Sequence, residues 1–201
     1  VEVRTALESQ RLSLDPRRAQ DALKAIASLA DRHPDKVAYR LEYARLLIAA
    51  GEPQGALARL AGRSSGGEAM GERITTHLLR AEAYRVLGDF ARMRTEAAAA
   101  EHLARDAGPG WTLERADALL LTARADSVQF PQRPVSAAYE RSALLYEQSG
   151  NSTGALHARV LARIAGPLTG ADPALDALLA RANAGGYHRL EIDVLVASAD
   201  Q

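Results

Sequence analysis

The chain has 201 residues and no net charge, because 25 acidic residues balance 25 basic ones, and it contains no cysteine. This length allows a sizeable core, the lack of cysteine excludes disulfides and thiol catalysis, and the charge balance argues against a nucleic-acid-binding surface. No long apolar stretch is free of charges, so the sequence predicts no membrane span.

The composition predicts an all-α chain. Alanine and leucine account for 42 and 28 residues, whereas valine, isoleucine and threonine together account for 22. Alanine and leucine lose little side-chain freedom in a helix, and the β-branched residues that favour strands are scarce. Apolar residues also recur every three or four positions, as in Leu23, Ile26 and Ala30, which is the period of a half-buried helix.

Turn and cap signals divide the chain into about ten or eleven helices. The first predicted helix opens at the Asp15-Pro16 cap and runs to about Ala30. Later predicted helices cover 36–50, 54–61, a long segment ending at 87, 90–107 and 111–127, and later turns fall at 131–134, 150–154, 166–170 and 185–186. The short turns predict antiparallel neighbours, and such thin, alanine-rich pairs must stack to bury enough surface.

Two internal registers relate these helices. An offset of 37 aligns small, large, glycine and apolar positions, and the aligned sets are Ala44, Leu47, Gly51, Ala56 and Leu60 with Ala81, Tyr84, Gly88, Met93 and Ala97. An offset of 42 aligns Leu103, Gly108, Ala116 and Leu119 with Leu145, Gly150, Ala158 and Leu161. Both offsets suit helix–turn–helix units.

The first register resembles the tetratricopeptide repeat. The matching residues are Ala81, Tyr84, Gly88-Asp89-Phe90, Ala97 and Ala100, while Met93 stands where alanine is usual. The resemblance implies a right-handed α-solenoid of antiparallel helix pairs that forms one domain over residues 1–201, with a soft break at 62–68. The tail 180–193 is similar to the closing repeat of bacterial winged-helix transcriptional regulators and receptor-type serine/threonine kinases. That likeness implies a bacterial signalling or transcription-regulatory protein.

The resemblance also implies a partner-binding groove, because the first helix of each repeat lines a concave surface. The positions that would face the groove are Leu41, Arg45, Ile48, Leu78, Glu82 and Arg85. Arg45 and Arg85 would each present a guanidinium group to partner carboxylates. The alternative is a solvated helix face with local ion pairs.

No catalytic or metal-binding pattern stands out. The segment Gly62-Arg63-Ser64-Ser65-Gly66 matches the string of a nucleophile elbow, but that motif requires a strand before the serine, so we interpret the segment as a flexible linker. The five histidines are scattered, without the spacing of metal ligands. We therefore predict no enzymatic activity, no cofactor and no metal site.

The sequence thus favours a non-catalytic protein-interaction or scaffolding module that binds a protein or peptide. The alternative is a small-ligand-sensing effector domain that controls an attached DNA-binding or kinase domain. Self-association is a further possibility, because the segment 190–196 is apolar. Because the chain starts at Val1 with neither methionine nor a signal peptide, we expect a fragment or a processed product, with any output domain outside it. The compartment is open: the cytoplasm is favoured, or the periplasm if a membrane span lies upstream.

Overall fold

The structure, a computed structural model, describes residues 16–61, 69–166 and 173–184. Within these ranges it contains nine α-helices, one short 3-10 helix and no strand, which confirms the all-α prediction. The α-helices are α1 Pro16–Arg32, α2 Val37–Ala49, α3 Pro53–Leu60, α4 Met70–Leu87, α5 Phe90–Ala107, α6 Thr112–Gln129, α7 Ser136–Gln148, α8 Ser152–Ile164 and α9 Pro173–Ala184.

Most helix boundaries lie within a residue or two of the predicted ones. Helix α5 has the predicted bounds, and α4 ends at Leu87 as expected. Helix α6 begins one residue late because the chain first makes a 3-10 turn over Pro109–Trp111. The predicted linker at 62–67, the serine motif within it, the turn at 185–186 and the apolar segment 190–196 lie outside the described residues.

The chain divides into two compact units, unit 1 over Val1–Asp89 and unit 2 over Phe90–Gln201. The predicted soft break at 62–68 lies outside the described residues. That the whole chain forms a single repeat domain stays a prediction.

Helix α2 lies at the centre of unit 1, where it packs against α1, α3 and α4, and α3 also packs against α4. One apolar cluster joins α2, α3 and α4 through its buried residues, which are Leu41, Ala44, Leu47, Ala56, Leu60 and Leu79. Arg80 on α4 donates a 2.6 Å hydrogen bond to the Leu60 carbonyl at the end of α3. This bond satisfies a carbonyl that has no partner within its own helix.

Arg59 on α3 links the three N-terminal helices of unit 1. Its guanidinium lies 2.7 Å from the Asp31 carboxylate on α1 and 4.8 Å from the ring centre of Tyr43 on α2. The hydrogen bond that Arg59 donates to Asp31 raises the pKa of Arg59, against a smaller opposing effect of burial. A planar guanidinium can make both contacts at once, since it stacks on a ring with its face and donates from its edge.

Helix α6 is buried on two opposite faces in unit 2. Ala116, Leu120 and Ala123 lie in a cluster with residues of α7 and α8. The buried residues of the opposite face are Ala118, Leu121 and Ala125; α6 also packs against α5, whose buried residues are Met93, Ala97, Ala100 and Ala104. Burial on two sides is typical of an interior helix in a layered array.

Three helix ends in the described chain use the same turn. After α2, α4 and α7, a glycine with positive φ (Gly51, Gly88 or Gly150) is followed by a residue whose N–H bonds to the carbonyl five residues earlier. This pattern defines the Schellman motif, for which glycine is favoured because it has no Cβ. Gly108 also has positive φ, but Pro109 follows it and has no N–H to donate. The turn after α5 therefore differs from the one after α7, with which the offset of 42 aligns it.

Candidate partner-binding surface

The same Glu-x-x-Arg pair occurs on α2 and on α4, two helices that pack against each other. Arg45 forms an ion pair with Glu42 on α2, and Arg85 forms one with Glu82 on α4, where Nε and Oε2 are 2.6 Å apart. Both arginine side chains are about one-third exposed, at 36% and 34%. The two helices of unit 1 that the resemblance assigns to the groove therefore carry matching glutamate–arginine ion pairs, each of which has no net charge.

The apolar residues predicted for this surface lie at different depths. Leu41 is buried at 7% exposure in the cluster shared by α2, α3 and α4. Ile48 is half-buried against that cluster, and Leu78 is also half-buried. Leu79, the neighbour of Leu78, occupies the core position on α4. The accessible part of the predicted site, here called the α2/α4 surface, consists of Glu42, Arg45, Ile48, Leu78, Glu82 and Arg85.

The ion pairs determine what the α2/α4 surface can bind. An exposed ion pair contributes only about 0.2–1 kcal/mol, because solvent screens it and both side chains lose freedom. A partner carboxylate can therefore replace Glu82, whose side chain is 37% exposed, at smaller cost than Glu42, whose side chain is 20% exposed. A partner cation can be accepted by the glutamate that is released. The surface suits a peptide that carries both signs of charge.

A second arrangement of charges lies in unit 2, where a cleft of about 260 Å³ is bordered by the end of α7, the start of α8, and α9. Its charged lining residues are Glu147, Arg159 and Arg181. The side chains of Arg159 and Glu147 form an ion pair with a 2.7 Å separation between Nη1 and Oε1. We call this feature the α8 cleft.

No sequence pattern points to the α8 cleft. Arg159 and Arg181 are separated by 21 residues and belong to different helices. Arginine recurs throughout the chain, so neither residue stands out by type. Only the packing of α9 against α8 brings the two together.

A polar group links α6 and α8 at another edge of unit 2. The Arg124 Nη2 and His157 Nε2 atoms are 3.1 Å apart. Burial raises the pKa of the nearby Tyr139 phenol, while a hydrogen bond with Ser127 and the positive charge of Arg124 oppose that shift. Because a guanidinium can only donate, His157 Nε2 is the acceptor in this contact. The contact between Arg124 and His157 thus links α6 to α8.

The described residues contain neither a metal-binding cluster nor a membrane-spanning helix. No group of three or more histidine, aspartate or glutamate side chains in this part of the chain is arranged to hold a metal ion. No helix among the described residues is long and apolar enough to cross a membrane. The serine of the predicted linker and His188 lie outside those residues.

No protein-family model, no curated protein and no solved structure matches this chain.

Proposed function

We propose that the chain is a non-catalytic protein-interaction module built from stacked, antiparallel helix pairs like those of tetratricopeptide repeats. We further propose that a protein or peptide partner binds on the α2/α4 surface. In this role the chain would be the sensory or partner-binding part of a larger bacterial signalling or transcription-regulatory protein.

The observation that carries the proposal is the repetition of the Glu-x-x-Arg pair on two helices in direct contact. One such pair on one helix is an ordinary solvated face. Two equivalent pairs on helices that pack against each other support a polar surface that would repeat along an array, as binding of an extended partner requires.

The arrangement of helices supports the stacked-pair part of the proposal. In unit 1, α4 packs against both α2 and α3, which is the contact that stacking on an α2/α3 pair would require. In unit 2, α6 has buried residues on two opposite faces. The recurrent glycine turn after α2, α4 and α7 is consistent with repeated helix pairs.

A selection experiment tests the proposed function. A random peptide library displayed on phage is selected on the 201-residue chain, and one enriched peptide is synthesised for calorimetric titration. We expect enriched peptides to carry carboxylates, and the double variant Arg45→Glu/Arg85→Glu to bind them at least about tenfold more weakly. Changing the carboxylates of the peptide to lysine should restore binding to the double variant.

The matched control is Arg105→Glu on α5, since Arg105 is also partly exposed and also pairs with a glutamate on its own helix, Glu101. This variant should bind the peptide as the unaltered chain does. Failure of the library to yield any peptide, or equal binding by the double variant, would contradict the proposal.

The second candidate function, a small-ligand-sensing effector domain, is supported by the α8 cleft. Its volume of about 260 Å³ is below the usual range for drug-sized ligands, which starts at roughly 300 Å³. It suits a small metabolite or the end group of a larger molecule.

A further inference from the structure

The α8 cleft combines a charged rim with an apolar floor. Arg159 and Arg181 provide two positive charges and Glu147 one negative charge, so its charged side chains have a net charge of one positive unit. The floor includes Ala155 and Leu156, which are both almost fully buried. This combination suits a ligand with one anionic group and a short hydrocarbon part.

The donors for an anion are on the arginines. Arg159 uses its Nη1 group on Glu147, but a guanidinium carries five N–H donors in a planar fork. Arg181 forms no ion pair with any side chain that the structure describes, and it is exposed. At least one full guanidinium group is therefore available to a ligand at the rim.

The start of α8 adds little to anion binding. The N–H of Gly154 donates to the Asn151 side chain at 2.9 Å, and the N–H of Ser152 donates to the Gly150 carbonyl at 3.2 Å. Two of the N–H groups that an anion would use at this helix end are thus already satisfied. Recognition in the cleft would have to rely on the arginine side chains.

We propose that the α8 cleft is a binding site for a small organic carboxylate, with the acid group on Arg181 and Arg159 and the hydrocarbon part on Ala155 and Leu156. A carboxylate is a monoanion and neutralises the single excess charge, and its two oxygens match the arginine fork. A phosphate dianion would leave excess negative charge beside Glu147. The site lies in unit 2, and it does not depend on the α2/α4 surface of unit 1.

The carboxylate can come from a free acid or from the C-terminus of a peptide. Both share the chemistry of an anionic group next to a short apolar part. Butyrate represents the free acid, and N-acetyl-alanyl-leucine represents the peptide terminus. Whichever probe binds more tightly to the cleft identifies the source.

The test is a titration of the isotope-labelled 201-residue chain with each probe, followed by amide chemical shifts. We expect saturable shifts for residues around the cleft on α7, α8 and α9. Arg181→Gln should weaken binding by about tenfold or more, because the bond to a charged donor is lost. Glu147→Gln should strengthen binding several-fold, because it removes the competing carboxylate.

Three controls make the result decisive. Butyramide, which has the shape of butyrate without its charge, should not bind, and inorganic phosphate should bind more weakly than butyrate. Arg105→Gln on α5, outside the cleft, should bind as the unaltered chain does. The proposal is overturned by the absence of saturable shifts, by equal binding of butyramide or phosphate, or by unchanged affinity in Arg181→Gln. Loss of peptide binding at the α2/α4 surface would not affect these results.

Discussion

The phenol of Tyr146 donates a 2.5 Å hydrogen bond to the carboxylate of Asp117, which joins α7 to α6. Tyr146 is buried at 3% exposure in the cluster shared by α6, α7 and α8, while Asp117 is only partly buried. The aromatic ring thus contributes to the core, and its hydroxyl reaches a charged acceptor at the edge of it.

The first prediction concerns this bond. Tyr146→Phe keeps the ring but removes the donor, so it should lower the free energy of unfolding by about 2 kcal/mol, as expected for a bond to a charged group. Urea unfolding of the 201-residue chain measures the change. The control is Tyr39→Phe, since Tyr39 is half-buried and its ring contacts His33; we expect that change to cost less than about 0.5 kcal/mol. Equal losses in the two variants would contradict a special role for the bond to Asp117.

The second prediction compares two glycines inside helices. A Cβ on Gly154 would lie 2.7 Å from a ring carbon of Tyr146, whereas a Cβ on Gly55 would lie 3.6 Å from the nearest atom of Leu47. Gly154→Ala should therefore destabilise the chain by about 1–3 kcal/mol through overpacking. Gly55→Ala should stabilise it by about 0.5–1 kcal/mol, because alanine favours the helix and the contact is ordinary. Thermal and urea unfolding measure the sign of each change in the free energy of unfolding. A stabilising effect of both variants would contradict the close contact between Gly154 and Tyr146.

The third prediction concerns Arg59. Arg59→Lys keeps the charge near Asp31 but loses the planar group above Tyr43, and Arg59→Ala loses both contacts. Because the Arg59 side chain is 41% exposed, we expect losses in unfolding free energy of only about 0.5 kcal/mol and about 1 kcal/mol respectively. Urea unfolding at low and high salt separates the charge effect, which salt should weaken. Arg73→Ala, at an exposed position on α4, is the control and should be nearly neutral.

The fourth prediction follows from the raised pKa of Tyr139, whose cause is burial. Above the ordinary tyrosine pKa of 10.0, the unfolded chain loses this proton while the folded chain retains it. Stability should therefore fall as the pH rises above that value, by at most about 1.4 kcal/mol per pH unit from this residue. Tyr139→Phe should reduce the slope of unfolding free energy against pH in the alkaline range. A Tyr139→Phe slope equal to that of the unaltered chain would refute the prediction.

The helices could be predicted from the sequence because their signals are local. Pro53 begins α3, and Gly88 ends α4, and each acts through its own backbone geometry. Helix α6 begins one residue after the expected position, because the short 3-10 turn at Pro109–Trp111 depends on a positive φ at Gly108 that the composition does not reveal. Local chemistry thus determined the helix ends to within a residue or two.

The candidate sites were harder to predict because they depend on packing between helices. Leu78 and Leu79 are adjacent and equally apolar, and the helical period alone does not determine which one lies in the core; contact with α2 and α3 places Leu79 there. The pairing of Arg45 with Glu42 follows from their spacing on one helix. The meeting of Arg159 and Arg181 in one cleft has no such local signal.

More than half of the buried apolar residues in the described part of the chain are alanines. A methyl group has no rotamers to lose, so ordering it carries almost no entropic penalty, but it also removes little hydrocarbon from water. The heat-capacity increment of unfolding per residue should consequently be small, because that increment grows with the apolar area exposed. A calorimetric scan should therefore show a free energy of unfolding that curves only weakly with temperature. Stability should change little between low and moderate temperatures.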